Sequence, residues 1–360
     1  MNVLVICPAL GLAVREGKLC VNGSVASLRG ANAMHVFGGN SSDMISWGMT
    51  VVREFVGNLQ FQPFWGQYAS QDETGKWLHP LEAVIKSNSN NGFVTIVCVF
   101  GWNASTPTLG LVPSTQSWFT NYTTRLAALA SALQTIDPIH TILEVWNEPF
   151  KWNVVTPGNI WATEMGTLAD TVRSAGFTGV IAVPVSATGQ DESVLLTNGL
   201  TFMIGRGDII FDIHAYEKWI LSETVAAMVA RLEALVALKI PFLIGETSPM
   251  NAGVLMDPRP LLNFSDTMNF SLTAWLWKYS ITDLTALLLA DGTPNNIGNN
   301  MWGTSLQNFY RRNNVYAPGL LIVYFAFSFG FRFRFRSFFY TIHPSTRIII
   351  CLCVFVSMPK

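Results

Sequence analysis

The sequence predicts an α/β chain folded as a single (β/α)8 TIM barrel domain. Three observations carry this expectation: eight short apolar runs, segments of helical period between them, and no repeat boundary or Ser/Pro-rich linker to split the chain. In order, the runs are Ala26 to Ala33, Met49 to Val56, Phe93 to Phe100, Thr141 to Trp146, Val180 to Pro184, Ile209 to His214, Phe242 to Gly245 and Leu272 to Trp277. Most are apolar along their whole length, as parallel strands covered on both faces must be, and the first two depart furthest from that pattern. Trp118 to Ile136 and Ser222 to Leu238 have the spacing of amphipathic helices. In the second, Val225, Met228, Val229, Leu232 and Val236 are expected to form a core face behind a Ser222 cap. A last helix, Ser305 to Arg312, follows the eighth run. A chain of 360 residues holds one barrel of about 250 residues with extensions.

Both ends differ in character from this middle. Residues 1–13 are expected to be a signal peptide, since Val3 to Leu12 is apolar and small residues stand at Gly11 and Ala13, although no Lys or Arg precedes and Pro8 interrupts. The barrel domain is then 14–318. Beyond it, Leu320 to Phe331 is apolar, Phe and Arg alternate to Arg336, and Ile348 to Val356 is apolar again. Neither run reaches the roughly 20 residues of a spanning helix, so membrane anchorage is not expected and 319–360 is read as a tail outside the fold. Sequons at Asn22, Asn40, Asn103, Asn121, Asn263 and Asn269, with the leader, predict a secreted glycoprotein. No disulfide framework is legible: Cys7 would leave with the leader, Cys20 and Cys98 are far apart, and Cys351 and Cys353 lie in the tail.

Composition narrows the partners. A formal net charge of -1 gives no attraction to nucleic acid or to an anionic membrane. Only 12% of residues are charged, while there are 12 Trp and 24 Phe, and most of these must be core. Any aromatic faces left over suit the apolar faces of neutral sugar rings, which favours a polysaccharide or oligosaccharide partner.

The chemistry concentrates at two strand ends. Val145-Trp146-Asn147-Glu148-Pro149 closes the fourth run and Phe242-Leu243-Ile244-Gly245-Glu246-Thr247 closes the seventh. A polar strand terminus before a turn explains either one alone. Two glutamates at the carboxyl ends of barrel strands, where this fold builds its active sites, face each other across the mouth. Hydrolysis of a glycosidic bond needs such a pair, one acid to protonate the departing oxygen and one carboxylate to stabilise or attack the anomeric carbon.

From about Val14 to Ala317 the chain resembles glycoside hydrolase family 5, the cellulase family of the retaining barrel clan A. Asn147-Glu148-Pro149 is similar to that family's acid/base motif, and Glu246 in Gly245-Glu246-Thr247 to its nucleophile. The resemblance implies that Tyr216, in Ile213-His214-Ala215-Tyr216, donates to the nucleophile and that His214 sits beside the acid/base. It further implies that Arg53 holds the nucleophile, that Asn147 donates to the 2-hydroxyl of the sugar, and that Trp277, with Trp275 as the competing choice, is the platform under the sugar. The opening from Gly17 through Asn32 is similar to the family's amino-terminal hairpin and first strand. Many members carry a His where Phe100 stands, and His35 and Trp102 are the substitutes considered. Each supporting residue also has a plain alternative: a core histidine for His214, a strand-end aromatic for Tyr216, an internal ion pair for Arg53, packing for Trp275, Trp277 and Trp302, and a solvated charge for Lys278.

The function expected is retaining hydrolysis of β-1,4 linkages without metal or organic cofactor. An endo-β-1,4-glucanase acting on cellulose-like glucan comes first. An endo-β-1,4-mannanase or a transglycosidase on the same barrel is the alternative, and a non-catalytic carbohydrate-binding barrel is the rival from another class.

Overall fold

Eight parallel strands close into a barrel in sequence order, each beside its neighbour in the chain and the last beside the first. They are β1 (Arg29–Asn32), β2 (Val51–Val56), β3 (Val94–Val99), β4 (Thr141–Glu144), β5 (Val180–Pro184), β6 (Ile209–His214), β7 (Phe242–Glu246) and β8 (Ser271–Ala274). The computed structural model describes residues 5–33, 41–60, 81–103, 105–277, 285–297 and 301–312, and three strands nearer the C-terminus. Every apolar run expected to be a strand supplies one. Their residues are buried throughout, which is why the runs read as continuous and not alternating.

Helices lie between the strands: α1 (Leu81–Asn90), α2 (Phe119–Ile136), α3 (Gly158–Ser174), α4 (Ser193–Met203), α5 (Val225–Ala237), α6 (Arg259–Met268) and, after β8, α7 (Trp302–Arg311). One large apolar layer between barrel and helices includes Trp161, Leu168, Phe211, Leu232 and Leu306. Helix α5 corrects two expectations. Its cap is Thr224, whose hydroxyl accepts from the Ala227 amide at 3.1 Å, not Ser222. Its buried face runs through Met228, Leu232 and Leu235, while Val225, in the first turn, is 53% exposed.

The floor of the barrel is plugged. Leu12–Arg15, Lys18–Val21 and Ser24–Val25 form a three-stranded antiparallel sheet. Leu19 and Val21 from it pack with Val51, Val94, Ile96, Ile142, Val180, Ala182, Ile210 and Leu243 of the strands. Gly17 makes the turn at φ 74°, and a Cβ there would stand 2.7 Å from the Lys239 backbone.

Cys7 and Cys20 form a disulfide with a Cα–Cα distance of 5.6 Å, a pairing absent from the expectation drawn above. The bond was not legible because hairpin pairing, not spacing, carries Cys20 back toward Cys7. Leu12 and Ala13 belong to a paired strand, so a cut after residue 13 would remove half of that strand and one of the bonded cysteines.

The chain divides into two compact units, Met1–Tyr316 and Ala317–Lys360. The second, read from the sequence as a tail outside the barrel, carries a sheet of its own: Ile322–Phe327 runs parallel, and Phe339–His343 antiparallel, to Thr346–Val354. Rows of Ile, Phe, Tyr and Val suit a pleated sheet. Among the described residues no helix is long and apolar enough to cross a membrane.

Candidate active site

Strand β4 ends at Glu144 and the chain continues through Trp146, which is buried, to Glu148. Glu148 has φ 50° and Phe150 φ 62°, a left-handed backbone uncommon for residues other than glycine. Three backbone bonds hold it there. The Gly110 amide donates to the Glu148 carbonyl at 2.7 Å, the Phe150 amide to Leu111 at 2.9 Å and the Thr188 amide to Pro149 at 3.0 Å. The turn leaves the Glu148 side chain 17% exposed at the mouth, while that of Glu246 on β7 is 6% exposed.

Arg53 of β2 is the hub, with its side chain fully buried. Its Nε and Nη2 grip Glu144 at 2.7 Å each, Nη1 donates to Glu246 Oε1 at 2.5 Å and to Asn32 Oδ1 at 2.7 Å, and Nη2 donates to Asn147 Oδ1 at 2.8 Å. The planar fork satisfies several acceptors at once, as no point charge does. It is therefore both the internal ion pair and the holder of Glu246. Glu144, Asp212 and His214 each place a donor atom within 4.8 Å of the others, a spacing suited to a metal ion. Arg53 Nη2 lies 2.7, 3.7 and 3.4 Å from these three groups and already supplies the positive charge.

The two candidate glutamates meet. One oxygen of Glu148, one of Glu246 and a ring nitrogen of His214 lie within 4.8 Å of each other. His214 Nδ1 is 2.8 Å from Glu148 Oε1 and 3.6 Å from Glu246 Oε2, and the Tyr216 hydroxyl donates to Glu246 Oε2 at 2.9 Å. A register shift between Ile213 and His214 sets His214 opposite Glu246 in the β6–β7 pairing. Both Glu246 oxygens thus accept from a donor. Burial pushes the Glu148 carboxyl above the usual range, opposed by His214 and reinforced by the nearby Glu246 charge. Burial also brings Glu144 up to about 7 against the pull of Arg53. For His214 burial works downward, but Glu246 and Asp212 outweigh it and hold the ring well above the ordinary histidine range.

The aromatic expectations need correction. Trp277 is 1% exposed and packs edge-on against Trp47 at 5.1 Å, so it is core and has no face to offer a sugar. Trp275 is partly exposed, with its ring against Phe55 at 5.7 Å, and is the platform candidate. Trp102 is 7% exposed and stacks on Trp118 at 5.5 Å, which stacks on Trp146 at 5.7 Å. That column buries both faces of its middle ring and makes Trp102 a packing residue. Trp302 is likewise fully buried. His35 and Lys278 lie outside the described residues. Trp277→Ala is expected to cost about 3–5 kcal/mol of stability. Trp275→Ala should instead raise KM roughly ten-fold, about 1.4 kcal/mol, with the denaturant midpoint almost unmoved. Urea titration beside steady-state kinetics separates the two, and the reverse pattern would return the platform to Trp277.

Sequence reasoning missed Glu144, Asp212, Asn32 and Cys98. The available signal was charge inside strands buried on both faces: one acid in Thr-Ile-Leu-Glu and one in Ile-Ile-Phe-Asp-Ile-His. Neutral Asn32 and Cys98 gave none. The loops after β3 and β4 form an open groove of about 320 Å³ lined mainly by Leu111, Val112, Phe150, Val154 and Ile160, and neither glutamate lines it.

The family called Cellulase (glycosyl hydrolase family 5) matches residues 35–280 by sequence profile. Among curated proteins no relative matches the chain. Solved structures share the fold at low identity. The mannanase catalytic domain from Streptomyces sp. SirexAA-E has a TM-score of 0.64 and 20% identity, over 86% of this chain and 93% of that one. The β-mannanase from Thermomonospora fusca has 0.63 and 20%, over 82% and 97%. A β-glucanase from Saccharophagus degradans has 0.61 and 14%, over 85% and 94%. With a profile spanning most of the barrel, and two glutamates meeting at its mouth, the chain belongs to glycosyl hydrolase family 5 and is a glycosidase.

Proposed function

We propose that this glycosidase is a retaining endo-β-1,4-glycanase in which Glu246 is the nucleophile and Glu148 the acid/base. The observation that carries the reading is the approach of the two carboxylates, with an oxygen of each inside a 4.8 Å cluster. Retaining enzymes set these groups about 5–5.5 Å apart, while inverting ones leave roughly 6.5–9.5 Å for a water. Glu148 gives its proton to the glycosidic oxygen as Glu246 attacks the anomeric carbon and the C–O bond breaks. Water then attacks the glycosyl ester, Glu148 takes its proton, and Glu246 is released. Arg53 and Tyr216 hold Glu246 aimed at the anomeric carbon. Because Asn147 Oδ1 is taken by Arg53, its amide nitrogen is the arm left to meet the sugar 2-hydroxyl, a contact that strengthens in the transition state.

Cellulose-like β-glucan is the substrate we place first, and mannan is the second reading. Support for mannan comes from the likeness to β-mannanases studied with mannotriose and mannohexaose, and support for glucan from the β-glucanase studied with cellotetraose. A transglycosidase differs only in the acceptor at the second step. A sugar-binding barrel without turnover would have no need of donors on both oxygens of Glu246. Secretion fits the six sequons, of which Asn22, Asn121 and Asn263 are exposed. The test is NMR of the first product formed from defined β-1,4 gluco- and manno-oligosaccharides by protein recovered from the medium of a eukaryotic secretory host. The β-anomer is expected. Initial release of the α-anomer would overturn retention, binding without turnover would favour the sugar-binding barrel, and activity confined to a reduced intracellular fraction would overturn secretion.

A further inference from the structure

We propose that Asp212 is a positioning residue that fixes which nitrogen of His214 carries a permanent proton, and so keeps the other nitrogen available to exchange one with Glu148. The inference rests on the double-displacement reading above. Asp212 and His214 are two residues apart on β6 and both are fully buried. Asp212 Oδ2 lies 3.2 Å from His214 Nε2, and on the far side of the ring Nδ1 lies 2.8 Å from Glu148 Oε1. A carboxylate accepts and does not donate, so Nε2 beside it bears a hydrogen. The opposite nitrogen then shares a single proton with Glu148, either as O–H donating to Nδ1 or as N–H donating to Oε1.

The neighbouring strand is shaped around this acid. A Cβ on Gly245 of β7 would stand 2.0 Å from Asp212 Oδ1, a clash that only glycine avoids. The other groups facing the ring are Arg53 on β2, Glu144 on β4, Glu246 on β7 and Tyr216 just beyond β6, with Cys98 on β3 beside Arg53 and Glu144. Burial works against ionised Asp212, but the His214 charge and hydrogen bond together with Arg53 hold its carboxyl below the ordinary range. The proton between Nδ1 and Oε1 leaves with the departing hydroxyl when the glycosidic bond breaks. It is replaced from the attacking water when the glycosyl ester is hydrolysed. The Nε2 hydrogen stays in place through both steps, and no co-reactant is required.

Asp212→Asn keeps the shape and removes the charge. With His214 less basic, the shared proton is lost at lower pH, so the alkaline limb of kcat/KM should move down by about one pH unit or more. We expect kcat to fall roughly ten-fold and KM to change little. A rate reduced by one factor at every pH, with the limb unmoved, would overturn the proposal in favour of a purely structural role. If the variant does not fold, the wild-type protein decides. In 15N-histidine NMR from about pH 5 to 9, the ring perturbed by Glu148→Gln should show Nε2 protonated throughout, and finding Nε2 bare would overturn the proposal. That measurement needs no turnover, so it stands even if the wild type cleaves no β-glycan, an outcome that would sink the functional reading alone.

Discussion

Glu246→Ala is expected to lower hydrolysis by on the order of 10⁴-fold or more in a barrel that remains folded. The methyl group takes away the oxygen placed to form the glycosyl ester. Arg53 keeps its two bonds to Glu144 and those to Asn32 and Asn147, so loss of one carboxylate relieves negative charge without stranding the guanidinium. A small anion such as azide fits the space vacated. On an aryl glycoside with a good leaving group it should restore turnover and yield the α-glycosyl azide, because it attacks from the face Glu246 used. An inactive variant that azide does not rescue, with an unchanged circular dichroism spectrum, would remove Glu246 from the nucleophile's role.

Arg53→Met is expected to cost the fold heavily in stability. It leaves Glu144, Asp212 and Glu246 gathered in the barrel without the cation that joins them. Breaking such a buried group by deleting one partner costs about 3–5 kcal/mol, measurable by urea unfolding near neutral pH. Burial already holds Glu144 at about 7 against the pull of Arg53, and the variant loses that pull. The variant is therefore least handicapped at low pH, where Glu144 is neutral in both states, and loses ground as pH rises from the unfolded value toward the raised one. Arg53→Lys should recover little, since one ammonium cannot span Glu144, Glu246 and Asn147 together. A penalty under about 1 kcal/mol for Arg53→Met, well short of the cost of breaking a buried ion pair, would mean the cluster is held by its strands and not by the charge.

What the sequence disclosed follows from which physical signal each feature leaves. Strands buried on both faces leave unbroken apolar runs, so all eight were visible, and only their ends shifted, as from Ala26 to Ala33 down to Arg29–Asn32. Glu148, Glu246, Arg53, Asn147, His214 and Tyr216 stood out as polar groups at or near strand ends, and the fold gathers them at one mouth. Glu144 and Asp212 were equally anomalous in their runs yet read as nothing, because a single acid inside a strand does not announce its partner. Trp275 and Trp277 were inseparable by spacing. Two residues apart, they would share a face if β8 continued, but the strand stops at Ala274 and the alternation no longer holds. The Cys7–Cys20 bond depended on a hairpin turn, a contact that sequence distance conceals.

Among the described residues, the apolar plug closes one end of this vessel. Hydrogen ions reaching the acids and the imidazole inside must travel by way of the rim, since oily side chains stopper the other end. A ligand lying over that rim would stand on the route by which these groups exchange hydrogen ions with solvent.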